Sequence, residues 1–250
     1  MYRTLHADKI VETAATLRRR IEERFPEAGL AKVAAELHQI AGEAVERCLS
    51  IRRPNYLLRG LAYGGLTVGL VALAWSFTHV EVGPNVWALE NFLEELEATL
   101  GSLFFLAAIA TFLVTIEVRV KRNRALRAIQ ELRALAHIVD MHQLTKDPER
   151  ILWAGPSTES SPQRTMTPFE LGRYFDYCSE MLSLVSKLGA LYVQEFPDQG
   201  ALVAVDELET LTTGLSAKIW QKIMILDRYL DESEGAATDP VAPALTSPES

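Results

Sequence analysis

Two long apolar stretches without a charged residue dominate the pattern of hydrophobic and polar positions along this chain. Residues 60–77 read GLAYGGLTVGLVALAWSF, and residues 98–116 read ATLGSLFFLAAIATFLVTI. As helices they would be about 27 and 28 Å long, close to the ~30 Å hydrocarbon core of a bilayer. The pattern predicts a transmembrane hairpin over residues 60–116, whose turn, residues 78–97, contains five acidic residues and no Lys or Arg.

Basic residues flank both apolar stretches on the side away from the acidic turn. Because basic residues close to membrane ends are retained on the cytoplasmic side, both termini are predicted to be cytoplasmic. The predicted location is the plasma (inner) membrane, with a multi-pass topology. Seven basic residues are predicted to face anionic lipid headgroups: Arg52, Arg53, Arg59, Arg119, Lys121, Arg122 and Arg124.

Small residues recur at four-residue spacing within the apolar stretches, a pattern that lets helix backbones approach closely in lipid. The residues predicted to pack helices are Gly60, Gly64, Gly65, Gly69, Thr111 and Thr115. The partner helix is either the other span of the same chain or a span of a second copy. The spacing does not distinguish between these two pairings.

The remaining sequence is amphipathic and predicts an all-α fold, because apolar residues recur every three or four positions. Residues 1–59 predict a pair of antiparallel cytoplasmic helices separated at Pro26, and residues 117–230 predict a further cytoplasmic helical region. Together the two arms form one predicted helical bundle. Residues 231–250 have little apolar content to bury and are predicted to be a disordered tail.

Three helices are predicted within residues 117–230. The helix of the second span continues without a breaker until Pro148, and Thr167, Pro168 and Glu170 signal the start of the next helix. That helix has a predicted buried stripe: Leu171, Tyr174, Phe175, Cys178, Leu182, Val185, Leu188 and Tyr192. The last helix has heptad-like apolar spacing from Val205 to Leu230, which indicates a long bundle helix or a coiled-coil oligomerisation seam.

Charge and cysteine content narrow the class of protein. The chain has 250 residues and a net charge of −8, with its basic residues concentrated beside the apolar stretches rather than in a basic and aromatic stripe. No nucleic-acid partner is predicted. Cys48 and Cys178 each lie in an apolar helical stripe, so both are predicted to be buried free thiols.

Motifs for chemistry are absent from the sequence: it has no phosphate-binding glycine loop, dinucleotide fingerprint, nucleophile elbow or His-Glu-x-x-His pattern. The chain is predicted not to be an enzyme and to bind no cofactor. His137 and Asp140 share a helix face and are weak candidates for a metal site, whereas a polar layer in a helical bundle is the favoured interpretation.

Two functional classes fit this organisation. The favoured one is a membrane-anchored helical interaction or scaffold protein that self-associates. Its predicted partners are the lipid bilayer, further copies of the chain and a cytoplasmic protein. The alternative is a homo-oligomeric pore or channel lined by the two-span hairpins and gated by the cytoplasmic helices. Neither span contains Asp, Glu, Lys, Arg or His, which argues against a coupled transporter.

Overall fold

A computed structural model describes residues 4–78, 89–148, 158–159 and 166–238, and the regular structure of these residues is helical. The six helices, in chain order, are α1 (Ala7–Arg24), α2 (Gly29–Arg52), α3 (Tyr56–Thr78), α4 (Leu89–Leu144), α5 (Pro168–Glu195) and α6 (Gln199–Thr238). The predicted all-α class is confirmed.

Local signals account for several of these boundaries. The α1 helix ends just before Pro26, with the Phe25 amide donating to the Ile21 carbonyl. The predicted capping box starts α5: the Thr167 hydroxyl accepts from the Glu170 amide, and the Glu170 carboxylate accepts from the Thr167 amide. Each of these bonds satisfies an amide that the helix itself cannot pair.

Two boundaries differ from the sequence prediction. The α4 helix begins at Leu89, inside the predicted turn 78–97, and continues without interruption to Leu144; residues 79–88 of that turn lie outside the described residues. At the other end of the chain, α6 continues to Thr238, past the predicted start of the disordered tail at Asp231. Residues 239–250 of the tail lie outside the described residues.

The chain divides into two compact units. We call residues 1–48 with 127–250 the bundle unit, and residues 49–126 the apolar unit. Helices α2 and α4 contribute residues to both units, whereas α1, α5 and α6 belong to the bundle unit and α3 to the apolar unit.

The bundle unit is built around α5, whose predicted stripe is buried throughout. Phe25, at the end of α1, packs edge-to-face against Tyr174, with ring centroids 5.7 Å apart. The side chain of Gln194 hydrogen-bonds to both the amide and the carbonyl of Leu5, two residues before α1 begins. Helix α1 therefore packs against α5, and the antiparallel pairing of α1 with α2 stays a prediction.

Helices α5 and α6 pack extensively against each other in the bundle unit. A Cβ built on Gly189 would lie 2.7 Å from Leu208 Cδ2, so the absence of a side chain at Gly189 permits the close approach of the helices. The apolar seam of α6 is buried at Val205, Leu208, Leu215, Ile219, Ile223 and Leu226. This seam is a bundle helix face packed within the chain, so it supplies no support for a coiled-coil oligomer.

The apolar unit has the reverse distribution of side chains. Leu57, Val68 and Val71 of α3 are 71%, 69% and 61% exposed, and Phe104 and Phe105 of α4 are 72% and 69% exposed. Among the described residues one helix, Leu100–Leu144, is long and apolar enough to cross a membrane, and only 6% of its most apolar stretch is buried. This helix contains the predicted second span, whereas the predicted first span, residues 60–77, is not confirmed by this criterion.

Candidate functional site

The two small-residue rows of α3 have different surroundings. A Cβ built on Gly69 would lie 3.0 Å from Leu106 Cδ1, and one built on Gly65 would lie 3.5 Å from Leu113 Cδ1. No described side chain lies within 4 Å of such an atom on Gly60 or Gly64. Because the rows point about 140° apart on the helix, α4 contacts one row and leaves the other open.

Three threonine hydroxyl groups of the apolar unit hydrogen-bond to their own helices. Thr111 Oγ1 donates to the Ala107 carbonyl, and Thr115 Oγ1 donates to the Thr111 carbonyl, each at 2.8 Å. Thr67 Oγ1 likewise donates to the Tyr63 carbonyl at 2.8 Å. These donors are satisfied locally, so the hydroxyls can face an apolar environment without an unpaired proton.

A single carboxylate joins α3 and α4 at one end of the apolar unit. Glu117 Oε2 accepts from Arg59 Nε at 2.6 Å, and Glu117 Oε1 forms an ion pair with Lys121 Nζ at 2.9 Å. The backbone amide of Asn55, just before α3 begins, donates to Glu117 Oε1 at 3.2 Å. We call this arrangement the Glu117 latch.

Burial and charge both distinguish the latch from an ordinary surface ion pair. The side chains of Glu117 and Lys121 are only 11% and 14% exposed, whereas the side chain of Arg59 is 52% exposed. The bond from Arg59, together with those from Lys121 and the Asn55 amide, lowers the pKa of Glu117 to about 2 against the opposing effect of desolvation. Glu117 is therefore ionised at neutral pH.

The sequence analysis missed Glu117, although a signal was present. Residues 49–78 contain no acidic residue, and Glu117 is the single acidic residue in residues 98–126. A lone carboxylate among basic residues has several cations available to pair with. Only the folded chain shows that Arg59 of α3 is one of these cations, and that the backbone amide of Asn55, just before α3, also donates to this carboxylate.

The latch also brings the two predicted basic segments together. Residues 52–59 and 117–124 are far apart in sequence, yet Glu117 bonds Arg59 and Asn55 directly. We call the seven predicted lipid-facing residues the basic collar: Arg52, Arg53, Arg59, Arg119, Lys121, Arg122 and Arg124. The Arg119 guanidinium carbon lies 5.5 Å from the centroid of the Phe112 ring, so this side chain extends back along α4 toward the apolar stretch.

The weak metal candidates are separate from this region, in the bundle unit. His137 is exposed on α4, and Asp140 accepts a bond from Gln143 Nε2 at 2.6 Å. Among the described residues, no group of three or more His, Cys, Asp or Glu side chains is arranged to hold a metal ion. The cation site at His137 and Asp140 stays a prediction.

In this part of the chain, polar side chains instead donate hydrogen bonds to backbone carbonyls in the last turn of α4, where a helix leaves its carbonyls without a partner. Tyr174 donates its hydroxyl to the His142 carbonyl at 3.2 Å, and Lys222 Nζ donates to the Gln143 carbonyl at 2.9 Å. A cation is electrostatically favoured at a helix C-terminus. Burial lowers the pKa of Lys222, although the nearby Asp147 and Asp140 carboxylates oppose that shift.

The two cysteines are free and buried, as the sequence predicted. Burial raises the pKa of Cys48 to about 11 and that of Cys178 to about 12. Because the thiolate is the nucleophilic form, neither side chain is suited to nucleophilic chemistry at neutral pH.

A groove of about 560 Å³ lies between α1 and α5 of the bundle unit. Apolar side chains in its lining include Leu5, Ile10 and Leu184, and its polar side chains include the exposed Lys9 and Lys187. The apolar lining suits an apolar side chain of another molecule.

No protein-family model, curated protein or solved structure matches this chain.

Proposed function

We propose that this protein is a membrane-anchored helical interaction or scaffold protein. In this proposal, the two apolar stretches cross the plasma (inner) membrane as a hairpin, and the bundle unit and both termini are cytoplasmic. The observation that supports it most directly is that the apolar stretch of α4 is 6% buried, although the structure buries apolar residues elsewhere. In a soluble protein, so large an exposed apolar surface would be severely unfavourable.

Self-association is the second part of the proposal. The Gly65 and Gly69 row contacts α4, so it is already used within the chain. The Gly60 and Gly64 row has no described neighbour, and small residues at this spacing allow close helix contact in lipid. We therefore assign contact with a second copy to the Gly60 and Gly64 row.

The groove between α1 and α5 is the surface that we propose for a cytoplasmic protein partner. A photo-crosslinking residue at Thr13, which lines the groove, should give a discrete higher-mass adduct in cells. The same probe at exposed Arg228, outside the groove lining, is the matched control. Identical adduct patterns at the two positions would contradict this part of the proposal.

The pore alternative is the weaker proposal. A conducting pore needs polar groups facing its lumen. The hydroxyls of Thr111 and Thr115 are bonded to their own helix, and their neighbours on α4 include the exposed Phe112 and Ile109. Discrete single-channel currents from the purified protein in planar bilayers would favour the pore over the anchor.

Site-directed labelling tests the proposed topology. In a chain with Cys48→Ala and Cys178→Ala, one new cysteine is introduced at Asn85 or at Ser247. A membrane-impermeant maleimide should label the first in intact cells and the second only after permeabilisation. Reversed labelling would contradict the orientation, and recovery of the protein in the soluble fraction would contradict the membrane anchor.

A further inference from the structure

The basic collar has an unusual local charge balance. It contains seven basic residues, and the sequence around it, residues 49–78 and 98–126, provides Glu117 as its single acidic residue. The latch uses this carboxylate on Arg59 and Lys121. The collar therefore has more basic residues than this part of the sequence has carboxylates.

Three collar residues are placed to contact an external anion. Arg53, Arg119 and Arg124 are exposed, and the described residues provide no carboxylate within ion-pair distance of them. Arg53 belongs to the segment 52–59, and Arg124 belongs to the segment 117–124. Because the latch joins these two segments, both arginines lie at the same end of the apolar unit. Arg119 lies along the Phe112 ring, where the charged collar meets the exposed apolar surface.

We propose that Arg53, Arg119 and Arg124 form a binding surface for the headgroups of anionic phospholipids in the cytoplasmic leaflet. This inference rests on the proposed membrane anchoring, and it selects three of the seven residues that the sequence predicts to face anionic lipid as the headgroup-binding surface. The acyl chains of such a lipid would meet the exposed side chains of α3 and α4, while its phosphate would pair with guanidinium groups in bidentate fashion. A free phosphate would gain only the second of these interactions.

Lipid binding to the full chain in detergent tests the proposal. Native mass spectrometry would compare phosphatidylglycerol with phosphatidylcholine of the same acyl composition. Each basic residue at a membrane surface contributes roughly a fivefold gain in affinity for anionic lipid. The combined change R53Q/R119Q/R124Q should therefore lower the affinity for phosphatidylglycerol by about a hundredfold, leaving that for phosphatidylcholine unchanged.

The matched control is K32Q/K218Q/R228Q, which removes the same charge from exposed positions of the bundle unit. An equal loss of phosphatidylglycerol binding in the control would overturn the assignment, as would equal binding of the two lipids by the unaltered chain. Inorganic phosphate should not compete with the lipid at millimolar concentration; effective competition would overturn the lipid as the ligand.

Two further measurements separate this inference from the anchor proposal. If R53Q/R119Q/R124Q does not fold, the single change R124Q and the salt dependence of the unaltered chain replace it, since salt screens exposed charges. Phosphatidylglycerol binding that is insensitive to both would overturn the inference. Membrane fractionation is measured separately: an integral protein without lipid preference contradicts the collar alone, whereas a soluble protein contradicts the anchor.

Discussion

The bundle unit and the apolar unit place similar side chains in opposite environments. Leu182 of the bundle unit is fully buried, whereas Leu103 of the apolar unit is 51% exposed. Helix α4 alone contains both cases, because Phe104 is 72% exposed and Leu132 is 0% exposed. One continuous helix therefore has one region whose apolar side chains are exposed and another whose apolar side chains are buried. The two regions differ in whether polar positions accompany the apolar ones.

Their charged contacts differ in a related way. Ion pairs between helices of the bundle unit lie at the surface: the side chains of Arg20 and Glu180 are both 42% exposed, and pairs of this kind contribute little to stability. In the apolar unit, Glu117 is 11% exposed and has three donors. The latch is therefore expected to contribute more to the pairing of α3 with α4 than an exposed ion pair contributes to the bundle unit.

The largest expected difference between the two regions of α4 is their response to an added charge. Phe105 and Met141 are 69% and 66% exposed, so the two sites differ little in the space available. Phe105→Arg should reduce membrane integration strongly, because an arginine near the bilayer centre costs about 3 kcal/mol. Met141→Arg should leave integration unchanged. Carbonate extraction of membranes measures the integration of each variant. Equal recovery of the two variants in the membrane pellet would contradict the assignment of Phe105 to lipid and Met141 to water.

Removing the same side chain from the two units should have unequal effects on stability. Leu182→Ala leaves a cavity in the core and should destabilise the bundle unit by about 2 to 5 kcal/mol. Leu103→Ala, at a side chain that is 51% exposed, should have a small effect in detergent. Thermal unfolding followed by circular dichroism provides the measurement. A comparable decrease in midpoint for both variants would mean that Leu103 is packed.

The glycine rows provide a finer comparison within the apolar unit. Gly69→Ile forces a side chain against Leu106 and should cost about 1 to 3 kcal/mol of stability in detergent. Gly64→Ile should leave the monomer stable and lower the fraction of oligomer observed by light scattering. Loss of stability in Gly64→Ile with none in Gly69→Ile would reverse the assignment of the two rows.

Removal of the Glu117 latch should have the smallest effect on stability, with a specific pH dependence. Because the pKa of Glu117 is lowered from 4.5 to about 2, its stabilisation is complete above pH 4.5 and is lost as the pH falls toward 2. At neutral pH, Glu117→Gln should cost about 1 kcal/mol. It should also flatten the loss of stability in this acid range.

Glu180→Gln, which breaks the exposed pair with Arg20, is the control for this change. It should shift the unfolding midpoint less than Glu117→Gln does, because exposed ion pairs contribute little. Identical pH profiles for the unaltered chain and Glu117→Gln would show that the latch does not stabilise the fold.

Local patterns in the sequence were sufficient to predict where the chain is helical. The capping box at Thr167 and Glu170, the stripe on α5 and the unbroken run of α4 each depend on neighbours within a few turns. The same holds for the apolar surface, because the α4 stretch has no charged residue from Ala98 to Ile116 and hence no polar face. Hydrophobicity and helical periodicity are local properties, so they can be read without a fold.

Partner choice was decided by the tertiary structure. The amphipathic stripe of α1 is the same whether it packs on α2 or α5, and the seam of α6 suits a bundle or an oligomer equally well. Likewise, only the packing of α3 against α4 distinguishes Gly69 from Gly64 and pairs Glu117 with Arg59. A periodic pattern specifies that a face is buried, but the identity of the surface covering it depends on contacts between distant segments.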